Sequence, residues 1–236
     1  MKLAILMPAH NEGARLLRTL EVVRERSTEL GGVSVFLVDD GSDPRVILED
    51  LPSPTADFSI VFARHAINLG QGAALETARQ LALREPEFAA YVTMDSDGQH
   101  GVDGAKHIAE RIAAGADVAF GNRFVAGSNV PSGRKLLLRG ARLFERALTG
   151  LSLSDAHNGL RGFSRRALSG IRIRHDRMAH ATEITQCVSR SPNWVVAEVP
   201  VCVEYNRETL AKGQNAAGAL TVLGDLLSHY FFQDRA

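Results

Sequence analysis

The chain has 236 residues, of which 45% are hydrophobic and 23% charged, with 27 basic and 27 acidic side chains that cancel to a formal net charge of zero. Such a chain can bury a full core, which excludes disordered and fibrous classes and suits one large α/β domain spanning residues 1–236, or two small domains pressed together. An aromatic content of 6% argues against an all-β sandwich or a protein that stacks nucleic-acid bases, and two cysteines exclude a disulfide framework or a four-ligand zinc site. Cys187 and Cys202 sit among apolar neighbours and are expected as buried thiols in a reducing compartment. No apolar stretch reaches the roughly 18 residues of a membrane span. The first apolar run, at 3–7, is too short for a signal peptide and lacks a small-residue cleavage site, so a cytoplasmic protein is expected.

In chain order, Leu3 to Met7 is a continuous apolar run, as in a strand covered on both faces. Asn11 is the expected N-cap of a helix whose inner face carries Leu16, Leu20 and Val23. A second strand, Val33 to Val38, is stopped by Asp39-Asp40-Gly41-Ser42, and Ser59 to Phe62 forms a third. The turn Asn68-Leu69-Gly70-Gln71-Gly72 leads into a helix with Leu75, Ala78 and Ala82 on one face. Tyr91 to Met94 is a fourth strand and Val118 to Phe120 a fifth, separated by a helix over 103–114. A further strand lies between Val195 and Val203, and residues 134–149 and 215–232 read as two more helices. Strands alternating with helices in this way predict βαβ units and a mostly parallel central sheet with helices on both faces.

In such sheets ligands bind beyond the carboxyl ends of the strands. Glu12, Asp39 with Asp40, and Asp95 with Asp97 all fall at those ends. In Asp95-Ser96-Asp97-Gly98-Gln99 an extended backbone of period two would project Asp95, Asp97 and Gln99 to one side. Two carboxylates and an amide oxygen are hard ligands suited to Mg2+ or Mn2+ shared with phosphates. A calcium EF-hand is excluded, since its sixth position would be His100 rather than glycine and its twelfth Lys106 rather than glutamate. The Gly70-Gln71-Gly72 turn lacks the third glycine of a dinucleotide fingerprint, where Leu75 stands, and neither a Walker sequence nor a Gly-x-Ser-x-Gly elbow occurs.

Charge is unevenly spread. Residues 1–133 hold 12 Lys/Arg against 18 Asp/Glu, residues 134–177 hold 11 against 3, and residues 178–236 hold 4 against 6. Within the basic block Lys135, Arg139, Arg142 and Arg146 fall on one helical stripe opposite Leu136, Leu143 and Leu148, the pattern of a helix lying on an anionic membrane surface. No interleaved aromatics or nucleic-acid motif accompany it, so nucleic acid is not expected as a partner. The tail stripe Leu220, Leu223, Leu227, Tyr230 and Phe231 is expected to pack on the core or form a homodimer contact.

The motifs Met7-Pro8-Ala9-His10-Asn11-Glu12, Val38-Asp39-Asp40-Gly41-Ser42, Asn68-Leu69-Gly70-Gln71-Gly72, Asp95-Ser96-Asp97-Gly98-Gln99-His100 and Gly121-Asn122-Arg123, in that order, resemble glycosyltransferase family 2. Their spacing is similar to the dolichyl-phosphate mannose synthase-like branch. The resemblance implies a GT-A fold, a nucleotide-diphospho-sugar donor and inversion at the anomeric carbon. It divides the chain into a nucleotide-sugar-binding half, 1–123, and an acceptor-side half, 124–236. By motif position it implies that Pro8, Ala9, Glu12 and Asp40 hold the nucleoside, with Asp39 supporting them and Gly70 and Ser96 beside the donor. It further implies that Asp95, Asp97 and Gln99 hold the diphosphate through Mg2+ or Mn2+, and that Arg123 and Arg134, with Arg161 and Lys212, meet a polyprenyl-phosphate or polyprenyl-linked acceptor. The expected role is hexosyl transfer in cell-envelope or surface glycan synthesis, at the inner face of the cytoplasmic membrane. A small membrane-protein partner would replace the transmembrane helices that many relatives carry.

A phosphate acceptor is already anionic at pH 7, because its second pKa is about 6, and needs no general base. A sugar hydroxyl would need one, and Asp155 or Glu183 would supply it. The catalytic set is therefore Asp97 and Arg123, with Asp155 or Glu183 added for a hydroxyl acceptor. Against these readings stand a nucleotidylyltransferase, which would need a Gly-rich, Arg-containing loop where this chain has Pro8-Ala9-His10-Asn11-Glu12, and a non-catalytic nucleotide-binding module, which would not need an intact Asp-x-Asp.

Overall fold

The computed structural model describes residues 2–85, 88–125, 146, 149–155, 158–175 and 179–203. The expected helix over 134–149 lies almost wholly outside the described residues, and that over 215–232 entirely so.

The elements are β1 (Leu3–Ala9), α1 (Ala14–Glu25), β2 (Val33–Asp40), β3 (Phe58–His65), α2 (Gln71–Arg84), β4 (Ala90–Thr93), α3 (Val102–Ala113), β5 (Val118–Asn122), β6 (Arg161–Phe163), α4 (Arg165–Gly170), α5 (Ala179–Ser189) and β7 (Val196–Pro200). They build a seven-stranded sheet in the order β3-β2-β1-β4-β6-β5-β7. Every pairing is parallel except the two made by β6, which runs antiparallel between β4 and β5. The sheet is thus α/β and mostly parallel, as the alternation of runs predicts.

Every residue of β1 and β2 is buried, which explains their unbroken apolar runs. Alternate side chains feed two cores. Leu3, Ile5 and Met7 pack with Leu16 and Leu20 of α1 and Ile108 of α3 on one face. Ala4 and Leu6 pack with Leu75 and Ala78 of α2, Leu168 of α4 and Ile184 of α5 on the other. The registers Ala9↔Asp39 and Asp40↔His65 bring β1, β2 and β3 to an end level with one another, so their last side chains share one edge.

Three expectations need correction. Asn11 does not cap α1: it holds a positive φ of 55° and bridges to the next loop, its N–H donating to Ser42 Oγ at 2.9 Å and its Oδ1 accepting from Asp43 N at 2.8 Å. Gly13 takes the cap position, with no side-chain hydrogen bond. Cys202 is exposed and Cys187 only half-buried, because Val201 and Val203 turn inward and period two sends Cys202 outward. Finally, β6, α4 and α5 were not anticipated from the sequence.

β6 passes so close beneath α3 that a Cβ on Gly162 would stand 2.3 Å from Ile108 Cγ2. Gly162→Ala should therefore destabilise the fold by about 1–3 kcal/mol, the usual range for overpacking a filled core, measurable as a lowered midpoint in chemical denaturation with an unchanged slope.

Candidate active site

Two adjacent acids end β2, and alternation sends them to opposite faces. Asp39 (0% exposed) takes the α1 side, where its carboxylate accepts from Ser42 N at 3.0 Å, Val46 N at 3.2 Å and the Arg64 guanidinium. Burial alone would push its carboxyl up, but the Ser42, Val46 and Arg64 donors outweigh that and hold it below its ordinary value. Asp40 (2% exposed) takes the α2 side. Its Oδ1 accepts from Leu69 N at 2.9 Å and from His65 Nδ1 at 2.7 Å, and its Oδ2 accepts from Gly70 N at 2.7 Å. With Nδ1 protonated toward Asp40, His65 Nε2 accepts from the Thr77 hydroxyl at 2.9 Å, tying the network to α2.

The turn that Asp40 holds delivers Gln71, whose Nε2 donates to Asp95 Oδ1 at 3.0 Å across the sheet edge. The loop after β4 is fastened from the opposite side. Ser96 Oγ donates to Pro8 O at 2.9 Å, and Thr19 of α1 donates its hydroxyl to Ser96 O at 3.2 Å. Between these fixed rims opens a cleft of about 510 Å³ lined by Pro8, Ala9, Glu12, Asp40, Gly70, Asp95, Ser96 and Asp97, together with His10, Asn68 and Gln71. That volume lies in the ordinary range for a small-molecule site.

The expected donor residues thus meet in one place, with two exceptions. Asp39 supports the rim from behind. Gln99 lines a neighbouring cavity of about 310 Å³, which shares Asp97 with the cleft. Extension does not persist past Asp95, because Asp97 Oδ1 accepts from Gln99 N at 3.0 Å and folds the loop into a turn through Gly98 at φ 78°. The sequence motifs contain Gln71 only as part of a glycine turn and do not include His65. Their spacing carried no signal, since their partners lie 24 and 25 residues away.

Among the described residues no group of three or more His, Cys, Asp or Glu side chains stands ready to close around a metal ion. The donor set nonetheless fits a cation shared with a ligand. Burial pushes the Asp97 carboxyl up; the Gln99 N–H and His100 work against this, and the charges of Asp95 and Glu12 add to it. A divalent cation would relieve that crowding of negative charge, and oxygen ligands suit Mg2+ or Mn2+.

On the acceptor side, Arg123 and Asp155 form a buried pair. Asp155 Oδ2 accepts from Arg123 Nε at 2.6 Å, Arg123 N at 3.1 Å and Asn158 Nδ2 at 3.2 Å. Glu183 lines neither cavity; its Oε2 accepts from Arg174 N at 2.8 Å and His175 N at 3.1 Å. Arg161 is buried within β6, on the face opposite Gly162 and α3. Arg134 and Lys212 lie outside the described residues, as do Lys135, Arg139 and Arg142 of the basic stripe.

Residues 4–172 match the model of glycosyl transferase family 2. Similar proteins include an uncharacterized protein of Methanocaldococcus jannaschii, 25% identical over 235 residues that cover 97% of this chain and 92% of that one. The polyprenol monophosphomannose synthase of Mycolicibacterium smegmatis is 31% identical over 172 residues, 71% of this chain and 63% of that one. The UDP-N-acetylglucosamine–dolichyl-phosphate N-acetylglucosaminyltransferase of Methanococcus voltae is 25% identical over 229 residues, 89% of each chain. Among solved structures, glucosyl-3-phosphoglycerate synthase from Mycobacterium tuberculosis in complex with Mn2+, UDP and glucosyl-3-phosphoglycerate superposes with a TM-score of 0.61 at 19% identity, covering 96% of this chain and 79% of that one. The architecture is the GT-A fold.

Two outcomes follow from the carboxylates at the end of β2. Asp39 has a folded pKa below its unfolded value of about 3.9, so its contribution is present above about pH 4 and is lost as pH falls through the lower folded value. Asp39→Asn should cost about 2 kcal/mol or more at pH 7, and the gap from wild type should narrow below pH 4 in denaturant titrations. Asp40→Ala should lower the melting temperature and weaken nucleotide binding together, since the turn loses its acceptor. A variant as stable as wild type that still loses nucleotide affinity would make Asp40 a direct reader of the base.

Proposed function

We propose that this chain, which belongs to glycosyltransferase family 2 and resembles its dolichyl-phosphate mannose synthase-like branch, transfers a sugar from a nucleotide-diphospho-sugar to a polyprenyl phosphate. The observation that carries the reading is the cleft at the carboxyl edge of the sheet. There Pro8 and Ala9 at the end of β1, Glu12 just beyond it and the Asp40-held turn face Asp95 and Asp97. A nucleoside fits against the β1 and β2 ends, and its diphosphate falls beside Asp95 and Asp97.

Those two carboxylates would hold a divalent cation, Mg2+ or Mn2+, which when bound neutralises charge developing on the leaving diphosphate. The acceptor's phosphate oxygen attacks the anomeric carbon, the bond from that carbon to the β-phosphate oxygen breaks, and the nucleoside diphosphate leaves with the electron pair, inverting the centre. Arg123, fixed by Asp155, orients the anionic acceptor.

A phosphate acceptor over a sugar hydroxyl is supported by the state of the two carboxylates expected as bases. Asp155 is 3% exposed and spent on Arg123 and Asn158, and Glu183 is spent on the 174–175 backbone. The names of the relatives point the same way. Attachment to an anionic membrane surface through the 134–177 basic block belongs to this reading, as do the proposed small membrane-protein partner and homodimer contact. No helix among the described residues is long and apolar enough to cross a membrane.

The test has two stages. Thermal stabilisation by a panel of nucleoside diphosphates, with and without Mn2+, should require both components. Transfer assays with that nucleotide's sugars should then label polyprenyl phosphate and leave free oligosaccharides unlabelled. Asp97→Asn should cut turnover about a hundredfold or more with the fold intact. Near-normal metal-dependent turnover in that variant would remove Asp97 from the site, and transfer only to oligosaccharide would remove the phosphate acceptor.

A further inference from the structure

Antiparallel β6 carries the residues just before it, 155–160, from the acceptor side back to the Asp-x-Asp loop. Gly159 arrives directly against Asp95: a Cβ there would lie 2.3 Å from Asp95 Oδ2 and 2.9 Å from Oδ1. The glycine cannot retreat, because Thr93 donates its hydroxyl to Gly159 O at 2.7 Å and Arg161 N donates to the same Thr93 oxygen at 3.2 Å. At the other end Asp155 holds Arg123 through both its backbone N–H and its Nε. Asn158 (1% exposed) joins the two ends: its Nδ2 donates to Asp155 Oδ2 at 3.2 Å and its Oδ1 accepts from Leu160 N at 3.0 Å.

We infer that Asp155, Asn158 and Gly159 form a positioning device that sets the Asp95 carboxylate and the Arg123 guanidinium relative to each other, with Gly159 fixing the first and Asn158, through Asp155, the second. The two groups carry opposite charge and have opposite tasks. Asp95 faces the diphosphate and its cation, and Arg123 the incoming phosphate, a division that rests on the function proposed above. A reaction between two phosphate-bearing partners demands their registry, and misplacement of about 1 Å is enough to slow it a hundredfold. Two groups held through one set of linked residues resist such drift better than groups on independently anchored loops, and Asp155 and Asn158 of that set are buried. Neither Asn158 nor Gly159 touches substrate in this scheme; both act through the residue they hold.

Variants at the two ends should fail in different ways. Mn2+ affinity of the full chain, read by electron paramagnetic resonance with a saturating nucleoside diphosphate, should fall about tenfold or more in Gly159→Ala, because Asp95 must swing away. The KM for polyprenyl phosphate should stay within about twofold in that variant. Asn158→Ala should do the reverse, raising the acceptor KM about tenfold and leaving Mn2+ affinity within about twofold. Asn158→Asp, which places a second carboxylate beside Asp155, should be at least as damaging as Ala. Thermal melts accompany each variant, and if Gly159→Ala does not fold, the Asn158 pair alone still decides. Unchanged Mn2+ affinity in folded Gly159→Ala, or Asn158 variants that lower metal affinity and acceptor binding in step with melting temperature, would overturn the inference and leave the proposed function standing. A wild-type chain that binds no Mn2+ with any nucleoside diphosphate would overturn the functional reading itself, and this role of Gly159 with it.

Discussion

A carboxylate that water cannot reach must find its donors within the protein, and at the end of β2 that requirement organises the rim of the cleft. Asp40 finds them in His65 and in two consecutive backbone N–H groups of the 69–70 turn. Charge-assisted bonds of this kind contribute about 1.5–3 kcal/mol each, enough to hold a turn whose Gly70 sits at φ 99°. The turn starts α2 and places Gln71 opposite Asp95. A side chain on one wall of the cleft therefore also decides where the far wall of the site stands. Asp39, one residue earlier and on the other face, does the same for the 42–46 loop, which Asn11 joins from β1.

The electrostatics of the cleft are unbalanced by design of the fold. Glu12, Asp95 and Asp97 arrive from two strand ends because ligand sites of open α/β sheets lie at this edge. The protein offsets part of the repulsion: Arg15 lies 2.7 Å from Glu12, and Gln71 donates to Asp95. Among the described residues Asp97 gets a backbone N–H, from Gln99, and its carboxyl remains displaced upward. A residue left in that state at the mouth of a cleft is what a site needing an external positive charge looks like.

Much of this was legible in the sequence, for a physical reason. Strands buried on both faces must be continuously apolar, so β1 and β2 announce themselves, and acids that interrupt such runs must lie at strand ends. The failures have equally definite causes. β6 is three residues long, and it begins with a charged residue, Arg161, that is nonetheless buried. α4 has only six residues, too few for a helical period to show. Asn11 matches the local rule for a helix cap but is claimed by Ser42, 31 residues away, and no local rule reports a long-range competitor. Gln99 was placed by assuming extension, and the Asp97 turn removed it.

The same long-range logic joins strands from both halves implied by the motifs into one sheet. Without β6 the sheet would have β4 and β5 as neighbours, and the bridge that Asp155, Asn158 and Gly159 make to the Asp-x-Asp loop would be lost. Inserting an antiparallel strand there requires space, which the chain provides by omitting side chains. A Cβ on Gly121 would stand 2.9 Å from Leu160 O, the same carbonyl that accepts from Gly121 N at 3.0 Å. Glycine in a strand interior weakens it by entropy and lost packing. Accepting that cost at Gly121 and again at Gly162 makes sense only if the close passage of residues 158–163 is worth more than local strand stability. What the passage secures is a link, through Gly159, Asn158 and Asp155, between the carboxylate that ends the donor side and the arginine that begins the acceptor side.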